Sequence, residues 1–210
     1  MGKIEANFFI SLDGVVESPD QWHFDYFNDE MGAAIGQGTE KYTGFLMGRV
    51  LYDEWSSYWP KQGDDVPFAP FINNVAKYVV SSSLDKATWN NTTLVSGEVA
   101  AQLRQIKEAS DGDIGMSGSA TLVRWLLANG LLDALNLMLH PIAVGHGQRL
   151  FQDTPTYPLQ LKSAETFKTG VLNLSYEPGV DDDRRRDADP SPHRAVGPSS
   201  ARGGSGRCAR

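Results

Sequence analysis

The feature that most restricts the fold is an alternation of short apolar runs with stretches of helical periodicity, closed by two strand-like runs in succession. Lys3 to Leu12 places Ile4, Ala6, Phe8, Ile10 and Leu12 at every second position, the period of a half-buried strand. A loop containing Gly, Pro and Asp follows from Asp13 to His23. Tyr26, Phe27, Met31, Ala34 and Ile35 then recur at helical spacing. Thr43 to Met47 is short and apolar, and Gly48-Arg49 leads into a helical segment that ends before Pro60. Asp64 to Asn74 reads as a loop with one helical turn. Lys77 to Val80, Thr92 to Val95, Ile114 to Met116 and Ala134 to Leu139 read as further strands. Helices are expected between Gly97 and Ser110, and over Leu122, Val123, Leu126 and Leu127, with Gly130 as a C-cap. Leu159 to Phe167 and Val171 to Tyr176, joined by Lys168-Thr169-Gly170, read as a hairpin. This order specifies an α/β sandwich whose sheet is mainly parallel and antiparallel at its end.

Composition narrows the partners rather than the fold. The 210 residues are 40% hydrophobic, enough for one medium domain with a full core. Lys and Arg number 19 against 26 Asp and Glu, and up to Pro178 there are 12 bases against 21 acids. So acidic a body repels nucleic acid, and any phosphate it binds must be gripped by local groups. The one cysteine, Cys208, excludes an internal disulfide or a cysteine-built metal cluster and fits a reducing compartment. No window approaches the roughly 18 apolar residues of a membrane span, and the first residues lack the apolar core of a signal peptide. A cytoplasmic protein with no membrane partner is expected. From Gly179 onward large apolar residues are almost absent, so residues 179–210 are expected to form a disordered tail and 1–178 the folding unit.

Three expected strand ends carry groups that suit phosphate. Ser117, Gly118, Ser119, Ala120 and Thr121 stand where a strand hands over to a helix. Free N–H groups and the dipole draw anions to such a helix start, and Gly118 permits close approach. The same residues also suit an ordinary N-cap on Ser117 or Ser119. Gly48 and Arg49 open another helix, and a cation there opposes the dipole preference, which points to an anionic ligand or to a salt bridge with Asp53 or Glu54. Ser81, Ser82 and Ser83 end a third strand with hydroxyls, in a phosphate contact or a polar turn. If these strands are parallel, all three loops leave one edge of the sheet, where ligands of open α/β sheets bind. Three such loops suit a dinucleotide.

Together with Ser11-Leu12-Asp13-Gly14, Leu46-Met47-Gly48-Arg49 with Tyr52, Tyr78-Val79-Val80-Ser81, Gly118-Ser119-Ala120-Thr121-Leu122 and Leu139-His140-Pro141 before Gly145-His146-Gly147, the chain resembles the dihydrofolate reductase-like superfamily. More narrowly it resembles the group that shares the C-terminal reductase domain of the bifunctional riboflavin-biosynthesis deaminase–reductase. The resemblance implies a three-layer α/β fold and an NADPH-dependent reductase of a small heterocyclic or carbonyl-like acceptor, similar to 5-amino-6-(5-phosphoribosylamino)uracil reductase. It implies that Gly48 and Arg49 hold the adenosine end with its 2′-phosphate beside Ser81 and Ser82. By the same resemblance Ser117 to Thr121 cradle the diphosphate, and Leu12, Asp13 and Gly14 border the nicotinamide. Related domains pair through their late strands, so a homodimer is expected.

On the acceptor side the candidates are Trp22 and Phe27 as pocket walls and Asp13, His23 or Asp25 as the proton carrier. Asp25 falls two residues before the position at which dihydrofolate reductase places its carboxylate, which argues against folate. Residues Asp13 to Tyr26 contain no Lys or Arg to meet a ribose phosphate. Two other functions stay open: a non-catalytic nucleotide-binding dimeric scaffold, and a serine hydrolase on Ser117. The latter needs His140 or His146 and departs from the G-x-S-x-G elbow at Ser119.

Overall fold

The computed structural model describes residues 1–179, so the expectation of a disordered tail lies outside the described residues apart from Gly179. Eight strands form one sheet: β1 (Ile4–Ser11), β2 (Tyr42–Gly48), β3 (Ala76–Val80), β4 (Thr92–Val95), β5 (Asp113–Ser117), β6 (Ala134–His140), β7 (Leu159–Thr166) and β8 (Leu172–Pro178). Their spatial order is β4-β3-β2-β5-β1-β6-β8-β7. The first six run parallel, whereas β8 is antiparallel to β6 and to β7. The α/β class and the antiparallel C-terminal hairpin follow the sequence pattern.

Alternation along the strands fills both sides of the sheet. Ile4, Ala6, Phe8 and Ile10 of β1, with Ile114 and Met116 of β5 and Leu46 of β2, pack under α4 (Val99–Ala109) and α5 (Ala120–Ala128). On the other side Phe45, Met47 and Val79 pack with α2 (Arg49–Tyr58) and α3 (Ala69–Asn74), while Phe9 and Met138 meet Met31, Ala34 and Ile35 of α1 (Asp29–Glu40). Helices, sheet and helices make the three layers.

Two elements differ from the sequence reading for local reasons. The helical spacing begins at Tyr26, but residues Phe24–Tyr26 form a 3-10 turn and α1 starts at Asp29, where the Asn28 side chain accepts from Met31 N–H at 3.0 Å. The helical turn expected within Asp64 to Asn74 is the six-residue α3, longer than one turn, whose last carbonyls are capped by a buried lysine from β3. At Gly130, φ is +63°, the left-handed turn expected after α5.

Candidate active site

Because β1 to β6 are parallel, the turns after Ser11, Gly48, Val80, Val95, Ser117 and His140 all emerge on one rim. The β7–β8 tip (residues 167–171) reaches that rim too, since Leu172 pairs with Leu139. From β3 through β2 and β5 to β1 is three strand spacings, about 14 Å.

At the β4–β3–β2 end, Arg49, Val80, Ser81, Ser82, Ser83, Ser96, Gly97 and Val99 line a cavity of about 500 Å³. Arg49 reaches it while paired with Asp53 across one helical turn (Nη1–Oδ2 2.9 Å). The salt bridge anticipated from sequence therefore exists, but both partners are about half exposed and such a pair is weak. Ser81 is buried and its Oγ accepts from Ser83 and Leu84 N–H, shaping the turn, while Ser82 and Ser83 are exposed.

Next along the rim, the starts of α2 and α5 touch. A Cβ on Gly48 would lie 2.7 Å from Ser119 Oγ, and one on Gly118 would lie 3.5 Å from Leu51. Gly118 (φ +71°) and Ser119 (φ +57°) are consecutive left-handed residues, a strained turn of the kind that clusters at ligand sites. Ser119 occupies the N-cap position of α5 without capping it, so the N-cap reading fails: the left-handed backbone leaves no side-chain cap hydrogen bond. Neither α2 nor α4 has a side-chain cap, and none of the three helices has an acid in its first turn. Their free N–H groups remain available to an anion. By contrast α1 is capped by Asn28 and carries Asp29 and Glu30 in its first turn.

At the β1–β6 end, the loop after β1 is zipped to the loop after β6. Asp13 accepts from Ser11 Oγ (2.6 Å), Val144 N–H (3.0 Å) and Gly145 N–H (2.8 Å), and lies 3.4 Å from Arg149 Nη2. The Ser11 hydroxyl, followed by the two backbone N–H groups, holds this carboxyl far below the usual range. An acid so committed has no proton to give, so the geometry argues against the relay expected of Asp13 and makes it a tether. Leu12 stands beside it with 68% of its surface exposed, and Gly14, φ +85°, has open space above it.

Behind this loop lies an aromatic cluster. His23 stacks on Phe9 (centroids 4.5 Å apart, 10°) and is covered on its other side by Phe24 (4.2 Å, 37°). His140 meets Phe9, Trp22 and Tyr26 edge to face. Phe27 closes on His23 at 6.1 Å. His23 Nδ1 and His140 Nε2 are buried without a hydrogen-bond partner, while His140 Nδ1 bonds the Met138 carbonyl at 2.8 Å. Burial lowers the pKa of both imidazoles, and for His23 the neighbouring His140 lowers it further. Asp25 is exposed in the Phe24–Tyr26 turn. Among the described residues Ser117 hydrogen-bonds no histidine, and Nε2 of His140, the nitrogen a serine would need, is buried without a partner, so the geometry shows no hydrolase dyad.

Residues 2–173 match the sequence pattern of the RibD C-terminal domain family. The chain belongs to that family. The uncharacterized protein YyaP of Bacillus subtilis (strain 168) is 25% identical over 185 residues, covering 83% of this chain and 94% of YyaP. Among solved structures, a putative riboflavin biosynthesis protein from Shewanella sp. PV-4 superposes with TM-score 0.70 at 17% identity, covering 85% of this chain and 99% of the other. The Thermotoga maritima diaminohydroxyphosphoribosylaminopyrimidine deaminase/5-amino-6-(5-phosphoribosylamino)uracil reductase gives 0.60 at 13% identity, covering 85% of this chain and 57% of that one. Dihydrofolate reductase from Enterococcus faecalis, complexed with NADP(H), gives 0.56 at 13% identity, covering 85% and 98%. The fold of this RibD C-terminal domain is thus dihydrofolate reductase-like.

Two residues at the rim escaped the sequence reading. Arg124 reaches back to the first turn of α5, with Nη2 3.3 Å from Thr121 Oγ1 and Nη1 bonded to Gln152 O. Its signal is the one that marked Arg49, a cation near a helix start that lacks acids. His140 entered only as part of the Leu139-His140-Pro141 motif and as a hydrolase candidate, and only the packing reveals its orphaned nitrogen beside His23.

Among the described residues, no helix is long and apolar enough to cross a membrane.

Proposed function

We propose that the chain is an NADPH-dependent reductase that delivers a hydride to a small heterocyclic or carbonyl-like acceptor. The observation that carries this reading is the contact between the bare N-termini of α2 and α5 at Gly48 and Ser119, beside the cavity of Arg49 and the serines. These residues fit a phosphorylated dinucleotide. Arg49, with Ser82 and Ser83, holds the adenosine 2′-phosphate by charge-assisted hydrogen bonds. Ser117 to Thr121, with the free N–H groups of α5, hold the diphosphate. Leu12 and Gly14 border the nicotinamide, which when bound supplies the hydride.

The chain's own residues do the rest. Asp13 keeps the Leu12–Gly14 turn fixed against residues 144–149, so the face of the ring has a rigid floor. Trp22 and Phe27, with Phe9, exclude water from the acceptor side. His23 and Asp25, flanking Phe24, are the two proton carriers left once Asp13 is tied down. Replacing the true carrier (His23→Phe or Asp25→Asn) lowers kcat at least about 100-fold. Changes below about 5-fold in both variants would assign the proton to water.

Thermal unfolding with NADPH tests the cofactor. At about a hundredfold over Kd it adds about 2.7 kcal/mol, a Tm rise of about 5–10 °C for a domain of this size. NADH should give a smaller rise, and Arg49→Gln should erase the difference. No rise with either nucleotide overturns the proposal, whereas a rise without oxidation of NADPH by any acceptor identifies a binding scaffold.

A further inference from the structure

Charge is divided unevenly along the rim. The phosphate end carries Arg49, Arg124 and the starts of α2 and α5, which have no acid at the N-cap or in the first turn; its acids include Asp53, paired with Arg49, and Glu98 at the start of α4. The acceptor end is the reverse: residues 12–30 contain six acids (Asp13, Glu17, Asp20, Asp25, Asp29, Glu30) and no Lys or Arg. Among the described residues, Arg149 lies 3.4 Å from Asp13 and the well-exposed Lys168 lies 3.8 Å from Glu30, so each of these cations faces a carboxylate. The two histidines are held neutral by burial, so they offer no charge to an anion.

The aromatic cluster shows what the same end does favour. Phe9, His23 and Phe24 form a three-ring stack in which Phe9 and His23 are packed and the outer ring is 64% exposed. Leaving a phenyl ring in water at the end of a stack gains little, and the ring lies on a 3-10 turn beyond the part of the loop that Asp13 and Glu17 fasten. Phe24 occupies the place a flat ligand would take.

We propose that the acceptor is a flat, uncharged heterocycle without a phosphate, stacking on His23 in the position Phe24 now fills. This rests on the reductase reading for the side from which the hydride arrives, and because a ring lying on the face of His23 cannot meet its in-plane nitrogens, it leaves the proton to Asp25 or water. It separates this chain from a relative whose name specifies a phosphoribosylamino uracil.

The test is a titration of the full chain followed by intrinsic tryptophan fluorescence, with Trp22→Phe run alongside to identify the share of Trp22 among the five tryptophans, because Trp22 packs against His140 at the edge of the stack. The probes are 5,6-diaminouracil, lumazine, and 5-amino-6-(5-phosphoribosylamino)uracil, with the NADPH thermal shift measured on the same samples. At least one bare ring is expected to bind ten-fold or more tightly than the phosphoribosylated pyrimidine. Phe24→Ala should preserve or tighten that binding, and His23→Ala should weaken it ten-fold or more with the NADPH shift unchanged. Equal or tighter binding of the phosphorylated compound overturns the proposal, as does quenching by neither bare ring. Loss of the NADPH shift with ring binding intact would instead remove the reductase reading and leave the ring site standing.

Discussion

Lys77 shows what a single side chain does for the frame of the site. It is fully buried, donates to the carbonyls of Ile72 (2.9 Å), Asn73 (3.3 Å) and Val75 (2.9 Å), and lies 4.6 Å from the centre of the Trp89 ring. It thereby caps the C-terminal end of α3 from a strand. Lys77→Met keeps the volume but leaves buried carbonyls unpaired, a loss of about 2 kcal/mol that should appear as a Tm drop of about 4–8 °C. His23 and His140 make stability depend on pH. Their folded pKa values lie below the usual 6.5 or so, so the unfolded chain takes up protons first as the solution is acidified. Their contribution is complete above about pH 7 and falls as the pH drops through about 6.5 toward the folded values. Tm measured from pH 8 to 5 should decline on the acid side, and His23→Phe should flatten that decline. An equal slope in the variant would show that His23 does not titrate as its burial requires.

At the scale of elements, the meeting of α2 and α5 is the most sensitive joint. Gly48 has φ −83° and ψ 168°, a conformation open to any residue, so its constraint is steric and comes from Ser119 Oγ at 2.7 Å. Gly48→Ala should push the two helix starts apart, costing about 1–3 kcal/mol in stability and ten-fold or more in NADPH affinity. Gly48→Ala with Ser119→Ala removes the clashing oxygen and should recover the stability, although not the hydroxyl donor. Calorimetry on the single and double variants distinguishes this contact from a general intolerance at Gly48. The start of α2 was legible because Gly48-Arg49 breaks an apolar run. Its neighbour across the gap was not, because nothing in the local pattern states that β5 lies beside β2.

At the scale of the molecule, the sheet is covered unevenly. Leu137, Leu139, Leu172, Leu174, Tyr176 and Leu161 share one face of the β6–β8–β7 end. Leu161 is 52% and Leu172 36% exposed, Leu137, Leu139 and Tyr176 also touch the main core, and the other side carries Asn136, Met138, Asn173, Ser175 and Glu177. We propose that this apolar face packs on its counterpart in a homodimer, sheet against sheet. Light scattering after gel filtration should give twice the 23.0 kDa chain mass, and Leu161→Glu with Leu172→Glu should return the monomer. A monomeric wild type at micromolar concentration would refute the pairing. The acidic body noted from composition also takes on direction in the folded chain, because residues 12–30 bring six acids and no Lys or Arg to the acceptor end, whereas Arg49 and Arg124 stand at the phosphate end.

By itself the sequence determined the strands, most of the helices and a mainly parallel sheet with an antiparallel end, and hence the expectation of a rim bearing Arg49, Ser81 and Gly118. These follow from periodicity and turn residues, which act over a few positions of chain. Only the tertiary structure decided that Asp13 is a tether, since its partners Val144 and Gly145 are 131 and 132 residues away. It alone brought His140 against His23 and Gly48 against Ser119. The physical reason is that such contacts depend on which strands become neighbours, and that is settled by packing the whole sheet at once rather than by any residue's local preference.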